Sequence, residues 1–308
     1  MSRRPADREF VEALSRGLAV IEVFDAAHSQ LSLSEVARRA GVSPATARRS
    51  LHTLEALGYV RSVDKRFMLS ARILTLGSAY LRAAHVDEVL MPELRRVVSL
   101  FGDASSVSVL DGHHILYIAH LSEQRAVRPI AGTGVTYPAY ATSMGRVLLA
   151  ALPDSELAAY LAEAKIEKLT ECTETNRKRL RELVEAARRN GYATAVDQLA
   201  YGITALAVPI QVGGGRTVAA LNSSGYSGHI DEVTLVKERL AVLRVSGGRI
   251  ASMITRYPAL YHSLLVSTPM PSKDVVSIEE GEDDARTHAR DDYGRRAGAN
   301  GRHRESAP

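Results

Sequence analysis

The segment 32–69 most constrains this chain, because two short helices and a basic hairpin follow one another closely in it. Ser32 and Glu35 have the spacing of a capping box, which predicts that the first helix begins there. Gly41 supplies the permissive backbone of a tight turn, and Ser43 followed by proline predicts the start of the second helix. This order of elements is typical of a winged helix-turn-helix, so DNA is the first partner to consider.

The second helix, expected from Pro44 to about Leu57, has two distinct faces. Its apolar positions repeat at helical spacing and predict one buried side. The opposite side carries small, cationic and hydroxyl side chains, which suit the reading of base edges in the major groove. Two cations at the tip of the hairpin are placed to contact a phosphate backbone. The predicted DNA contacts are Ser43, Ala45, Thr46, Arg48, Arg49, His52, Thr53, Lys65 and Arg66.

The distribution of charge supports this assignment. Residues 32–70 contain seven basic and three acidic residues, a net charge of +4, which equals the net charge of the whole 308-residue chain. The remaining residues are therefore neutral in sum. A basic excess confined to one segment is expected of a DNA-binding module attached to a neutral carrier.

Composition excludes several other classes of protein. No apolar run is long enough to cross a membrane, and the N-terminal residues lack the apolar core of a signal peptide. The single cysteine, Cys172, excludes an internal disulfide and is typical of a reducing cytoplasm, which is the expected location. No motif for a cofactor, a metal ion or a nucleotide phosphate occurs, so we expect none of these ligands and no membrane partner.

The rest of the chain predicts a second, larger domain. Residues 71–85 have the pattern of a helix that connects two modules. From about residue 104, strands and helices follow one another, which predicts an α+β domain with a sheet flanked by helices. Beyond residue 257 the chain is charged and poor in apolar residues, which predicts disorder. The expected divisions are a DNA-binding domain at 1–70, a linker helix at 71–85, a mixed domain at 86–257 and a disordered charged tail at 258–308.

Three stretches of the chain resemble the IclR-type transcriptional regulators of bacteria. They are FVEALSRGLAVIEVF at 10–24 with the helix-turn-helix after it, GTGVTYPAYATSMGRVLLAAL at 132–152, and GYATAVDQLAYGITALAVPI at 191–210 with TVAALNSSG at 217–225. Together they span about residues 10–254. The helix-turn-helix and the stretch YPAYATSMGRVLLAALPDSEL look especially like the branch that controls aromatic-acid catabolism through the β-ketoadipate pathway.

The resemblance implies an α+β fold with an N-terminal winged helix-turn-helix joined by a linker helix to a GAF-like effector-binding domain. It implies a homodimeric or homotetrameric repressor or activator that binds double-stranded operator DNA under the control of a small organic effector, aromatic or carboxylate. Stacking surface is expected from Tyr137, Tyr140 and Tyr201. The family's pocket, carried over by position, falls on Tyr140, Thr142, Ser143, Met144, Asp197, Ala205, Asn222 and Ser224.

The chain departs from the family pattern in one place. After Asp197 the family commonly has an acidic pair, and this branch has an arginine shortly after the glycine that corresponds to Gly202. This chain has Gln198 in the first of these places and Thr204 in the second. The missing cation weakens the case for an acid, so the resemblance does not determine the effector.

Two other functions are compatible with parts of the sequence. An enzyme built on the C-terminal domain is one, since His113, His114 and His120 cluster with Asp111. Neighbouring residues of a strand point to opposite faces, so His113 and His114 cannot both serve one metal site, and we expect no enzyme. The second alternative is a DNA-binding protein that has no ligand. The long mixed domain argues against it, because such a protein needs no pocket.

The N-terminal segment predicts an amphipathic helix with Leu14, Leu18 and Ile21 in one stripe. One helix-turn-helix reads only a few base pairs, so useful specificity needs two half-sites. The stripe is therefore a candidate dimer surface.

Overall fold

The computed structural model describes residues 10–123 and 132–265. These residues divide into two compact units, one of residues 10–53 and 63–67 and the other of residues 54–62 and 68–265. This division runs through the segment expected to bind DNA, and the domain boundary at residue 70 stays a prediction. The first nine residues of that expected domain lie outside the described residues.

The N-terminal elements follow the order expected of a winged helix-turn-helix. They are α1 Glu12–Ile21, β1 Leu31–Ser32, α2 Leu33–Arg39, α3 Pro44–Ala56, β2 Val60–Val63 and β3 Arg66–Leu69, with the strands in the order β1-β3-β2. The predicted capping box is present, since the Glu35 carboxylate accepts the Ser32 N–H at 2.7 Å and the Ser32 hydroxyl accepts the Glu35 N–H at 3.4 Å. Ser43 caps α3 by accepting the Thr46 N–H at 3.2 Å.

The remaining described elements form the mixed domain. A 3₁₀ turn at Ala71–Ile73 leads into α4, and a second at Ala139–Ala141 leads into α7. The helices are α4 Leu74–Ala83, α5 Val86–Val89, α6 Met91–Phe101, α7 Ser143–Ala150, α8 Asp154–Glu163, α9 Arg177–Asn190, α10 Glu232–Ile254 and α11 Pro258–Leu265. The strands are β4 Ala104–Asp111, β5 His114–Ser122, β6 Thr136–Pro138, β7 Ala193–Val196, β8 Ile203–Val212 and β9 Arg216–Tyr226.

The six strands form one antiparallel sheet in the order β6-β5-β4-β9-β8-β7, with a hydrophobic core on each face. Side chains alternate between the faces, so Leu206 and Val208 of β8 pack with α10, whereas Ala207 between them packs with α7. Helices cover both sides, as the sequence predicts, and the expected α+β fold is confirmed.

The two faces of the sheet differ at β8 and β9, because small residues lie there on the α7 face. Ala207 and Ala220 lie under α7, where the opposite face has leucine and valine. Gly145 in the first turn of α7 lies against the 3₁₀ turn before it, and a Cβ at this position would stand 2.0 Å from the carbonyl oxygen of Ala139. Small residues therefore let α7 approach the sheet and the turn closely.

Helical structure extends further along the chain than the sequence predicts. A disordered charged tail is expected from residue 258, but Pro258–Leu265 forms α11, in which Leu260 and Leu264 are buried in the core shared with α10. Proline at the first helical position and this apolar pair are local signals for a short helix that the overall charge of the tail obscures. The rest of the predicted tail, 266–308, lies outside the described residues.

Replacement of Gly145 by alanine tests the close packing of α7. The added methyl group overlaps the Ala139 carbonyl, so Gly145→Ala should lower the free energy of unfolding by about 3 kcal/mol. Gly77→Ala is the matched control, since a methyl group added at Gly77 in α4 would have no neighbouring atom within 4 Å, and it should add up to about 1 kcal/mol through helix propensity. Urea denaturation followed by circular dichroism measures both, and equal midpoints for the two variants would contradict the packing.

Candidate functional site

Helix α3 has the two faces that the sequence predicts. Ala47, Leu51 and Leu54 are buried. The opposite face is exposed and consists of Ala45, Arg48, Arg49, His52 and Thr53, with Thr46 partly exposed. The side chains of Arg48, Arg49 and His52 hydrogen bond to no other residue in the described part of the chain, so they are free to meet a partner.

The hairpin after α3 presents its two cations differently. Asp64 and Lys65 form the turn with positive φ angles of 48° and 64°, as a two-residue type I′ turn requires. Lys65 is exposed at this tip and forms no ion pair with a described residue. Arg66 instead donates to the carbonyl oxygen of Gln30 at 3.2 Å and lies 3.8 Å from the Glu35 carboxylate. Lys65 is thus the better placed of the two for a phosphate.

A small cavity of about 70 Å³ opens between the start of α7 and the sheet. It combines hydroxyl, carboxamide and phenol groups with apolar side chains. Its lining consists of Tyr117, Tyr137, Ala141, Thr142, Ser143, Met144, Ala195, Gln198, Leu199, Ile203, Ala205, Asn222 and Ser224. Convergent polar groups in an otherwise apolar cavity are typical of a small-molecule site.

The first turn of α7 supplies the donors at one end of the cavity. Thr142 caps the helix, because its hydroxyl accepts the Gly145 N–H at 3.0 Å. Ser143 and Met144 are the next two residues, and N–H groups at these positions have no acceptor within a helix. The positive end of the helix and these N–H groups favour a negatively charged or acceptor group.

Two tyrosines form an aromatic wall of the cavity. The rings of Tyr117 and Tyr137 meet edge to face with their centroids 5.5 Å apart. Burial, and then the neighbouring Tyr137, raise the pKa of the Tyr117 phenol, and burial raises the pKa of Tyr137. Both phenols are therefore neutral at physiological pH and able to donate a hydrogen bond.

The structure brings most of the predicted pocket residues together. Six of the eight positions line the cavity, namely Thr142, Ser143, Met144, Ala205, Asn222 and Ser224. Tyr140 is buried beside it, but its hydroxyl donates to the Glu167 carbonyl at 3.0 Å and accepts the Glu167 N–H at 2.9 Å. Tyr140 thereby anchors a loop and does not line the cavity.

Asp197 and Tyr201 also lie away from the cavity lining. The Asp197 carboxylate accepts the Gly202 N–H at 2.7 Å and the Ser227 hydroxyl at 2.8 Å, so it ties together two loops. Tyr201 is 62% exposed, and its hydroxyl accepts the Glu171 N–H. Of the three tyrosines expected to offer stacking surface, Tyr137 is at the cavity.

Sequence analysis missed six lining residues: Tyr117, Ala141, Ala195, Gln198, Leu199 and Ile203. The alternation of β8 could have identified Ile203, which shares a face with Ala205. Gln198 and Leu199 lie in a loop, where no periodicity indicates the direction of a side chain. Their position depends on contacts that are distant in sequence.

The histidines considered for an enzyme make separate contacts. The His113 ring packs 5.5 Å from the Tyr160 ring, His114 begins β5, and Nδ1 of His120 lies 2.9 Å from the Ser106 hydroxyl. Within residues 10–123 and 132–265, no three His, Cys, Asp or Glu residues are grouped so that they could hold a metal ion. None of the described helices is both long and apolar enough to cross a membrane.

Comparisons with known proteins agree with this architecture. Residues 13–64 match the IclR helix-turn-helix domain, and residues 78–251 match the bacterial transcriptional regulator IclR C-terminal region. The Pca regulon regulatory protein of Pseudomonas putida is 34% identical over 238 residues, which cover 77% of this chain and 82% of that protein. The p-hydroxybenzoate hydroxylase transcriptional activator of Acinetobacter baylyi is 30% identical over 251 residues, which cover 80% and 93%.

A solved structure adds a bound ligand to the comparison. The crystal structure of an IclR homolog from Microbacterium hydrocarbonoxydans complexed with 4-hydroxybenzoate matches with a TM-score of 0.65 and 27% identity, and covers 79% of this chain and 99% of that one. The relatives are regulators of the kind that the aromatic-acid branch predicts.

Two substitutions separate base reading from phosphate contact on the predicted DNA surface. Arg49→Ala should remove about 1–3 kcal/mol of discrimination at one base pair, because Arg49 lies on the exposed face of α3. Lys65→Ala should weaken binding to all sequences alike and reduce the salt dependence. Fluorescence anisotropy with operator and scrambled DNA at several salt concentrations distinguishes them, and equal sequence-independent losses would contradict these roles.

Proposed function

Because the chain belongs to the IclR family of bacterial transcriptional regulators, we propose that the cavity at the start of α7 binds its effector and that this effector is a small aromatic acid. The chain is an effector-controlled DNA-binding regulator, as its family and relatives are. The observation that carries the proposal is one cavity in which the N-terminus of α7 faces carboxamides and two phenol rings. Such a site offers donors to a carboxylate and aromatic edges to a ring.

The relatives support this choice of effector. One regulates p-hydroxybenzoate hydroxylase, and a related solved structure holds 4-hydroxybenzoate. The cavity of about 70 Å³ is smaller than a benzene ring requires, so its walls must move apart when an aromatic acid binds. The contacts that we propose are Thr142, Ser143, Met144, Ala205, Asn222 and Ser224, with Tyr117 and Tyr137 beside the ring.

We propose DNA contacts at the positions that the sequence predicts on α3 and the hairpin, and domain divisions after residues 70 and 85. The gap between the matched ranges 13–64 and 78–251 supports the first division, whereas the second match begins inside the proposed linker. The chain acts in the cytoplasm, where operator DNA is found. It is not an enzyme, since the family consists of transcriptional regulators and the histidines of the mixed domain make separate contacts.

We also propose that the chain works as a dimer or a dimer of dimers. Two residues of the predicted stripe are exposed, Leu14 at 63% and Leu18 at 48%, whereas the third, Ile21, is partly buried. Helix α4 likewise exposes Leu76 and Tyr80, which lie one turn apart on the same face. Apolar side chains grouped on a helix face and left in solvent favour a partner surface.

Light scattering tests the assembly. The wild-type chain at micromolar concentration should have the mass of a dimer or a tetramer, and a Leu14→Glu, Leu18→Glu double variant should have a lower mass because two charges enter the proposed interface. Val233→Glu is the control, since Val233 is 78% exposed on α10 and should leave the mass unchanged. A monomeric wild type, with and without operator DNA, contradicts the proposal.

Blocking the cavity tests the effector site. Ser143→Phe, and independently Ala205→Leu on the strand wall, should abolish the heat of 4-hydroxybenzoate binding in calorimetry because both side chains fill the cavity. Both variants should still bind DNA from the region flanking the coding sequence. Tyr140→Phe is the control, because the Tyr140 hydroxyl contacts Glu167 and not the cavity. If both blocked variants respond normally, the effector binds elsewhere.

A further inference from the structure

The carboxamide of Gln198 has a defined orientation at the cavity wall. Its Oε1 accepts a hydrogen bond from the Arg146 guanidinium and lies 3.4 Å from the Glu174 N–H, which also donates to it. A guanidinium and a backbone N–H can only donate, so the oxygen of the carboxamide must face them. The NH₂ group of Gln198 therefore faces away from Arg146, and it donates to no other described residue while Gln198 lines the cavity.

Asn222 on β9 has the same arrangement at another wall. Its Oδ1 accepts the Ser106 N–H at 2.8 Å, which again fixes the oxygen toward the protein. Asn222 is 4% exposed and lines the cavity, and its NH₂ group has no acceptor among the described residues. One buried and one half-buried carboxamide thus offer the cavity donors only. Both NH₂ groups are open to the cavity, and a ligand with acceptor oxygens would satisfy them.

Arg146 is a buried cation behind the Gln198 carboxamide. It is 4% exposed, one Nη donates to the Thr194 carbonyl at 2.8 Å, and Nε has no partner among the described residues. Burial lowers the pKa of Arg146 to about 10, so it stays a cation at neutral pH. No described carboxylate lies within ion-pair distance of it, but Glu174 and Glu232 are close enough to stabilise its charge.

We propose that the NH₂ groups of Gln198 and Asn222 form a two-donor clamp that selects the carboxylate of the effector, with Arg146 as the positioning residue that holds Gln198 in its donating orientation. This inference rests on the proposed aromatic-acid effector and states which group of that effector the protein recognises. A carboxylate accepts from both donors and gains from the nearby cation. An ester accepts weakly and carries no charge, so the clamp discriminates against it.

The donors of the clamp are neutral, and the cation that orients one of them lies on α7. The effector therefore meets neutral donors at contact distance and a cation behind them.

The substitution Gln198→Glu tests the clamp on the full chain. Glutamate keeps the contact with Arg146 but replaces the donor by an acceptor, so affinity for 4-hydroxybenzoate should fall about tenfold to hundredfold. Affinity for methyl 4-hydroxybenzoate should change by less than about threefold, because the ester gains little from the clamp. Gln211→Glu, at an exposed position on β8, introduces the same charge change and should leave both affinities within about twofold.

The preference for the acid over the ester also tests the positioning role of Arg146. Arg146→Lys keeps a donor and a cation and should retain most of the preference for the acid over the ester. Arg146→Met removes both, frees the Gln198 carboxamide to rotate, and should bring the ratio of the two affinities close to one. A purely structural role would weaken both ligands together and leave that ratio unchanged.

The outcomes separate this inference from the proposed function. If wild type binds 4-hydroxybenzoate and Gln198→Glu keeps the acid-to-ester preference, the clamp is wrong and the effector site stands. If wild type binds neither probe, the aromatic-acid effector is wrong and the clamp falls with it. Operator binding without ligand reports folding of each variant. Should Gln198→Glu fail to bind operator, Gln198→Met removes the donor without a charge and gives the same comparison.

Discussion

The close packing of α7 against the 3₁₀ turn at Ala139–Ala141 sets the geometry of the mixed domain. Gly145 allows this approach, since any larger side chain would overlap the Ala139 carbonyl. The approach brings the N-terminus of α7 to the sheet, where alanines on β8 and β9 leave room for it. The cavity is what remains between the helix end and these small residues, so the site follows from the packing and is not added to it.

Two buried arginines lie on opposite faces of the sheet and have different surroundings. Arg239 donates to the Asp103 carboxylate at 2.6 Å and to the Ser223 hydroxyl at 2.9 Å, and it packs over the Phe101 ring. Its charge is neutralised within the core. Arg146 donates to the neutral oxygens of Thr194 and Gln198, and Glu174 and Glu232 act on its charge from further away. One arginine joins elements of the fold, and the other orients a carboxamide of the cavity wall.

Sequence predicts the helix-turn-helix well because its signals are local. The capping box of Ser32 and Glu35 and the cap of Ser43 depend on residues three apart, and both are present. The cavity is located through a family resemblance, and two of its expected members, Tyr140 and Asp197, instead bind backbone groups of loops. Gln198 could not be identified from sequence, because its direction depends on Arg146, 52 residues earlier in the chain. The charged composition of residues 258–308 likewise obscures the sequence signal for α11, in which Leu260 and Leu264 are buried.

The alternation of side chains along β9 places residues of the cavity and residues of the core on opposite faces of the sheet. Leu221 and Ser223 face the core with α10, whereas Asn222 and Ser224 face the cavity. Substitutions at the cavity-facing positions alter which molecule is sensed and leave the larger core intact. Substitutions at the core-facing positions destabilise the fold, so natural selection eliminates them. A strand of this kind lets a regulator acquire a new chemical signal in single steps during evolution, with its scaffold preserved at every step.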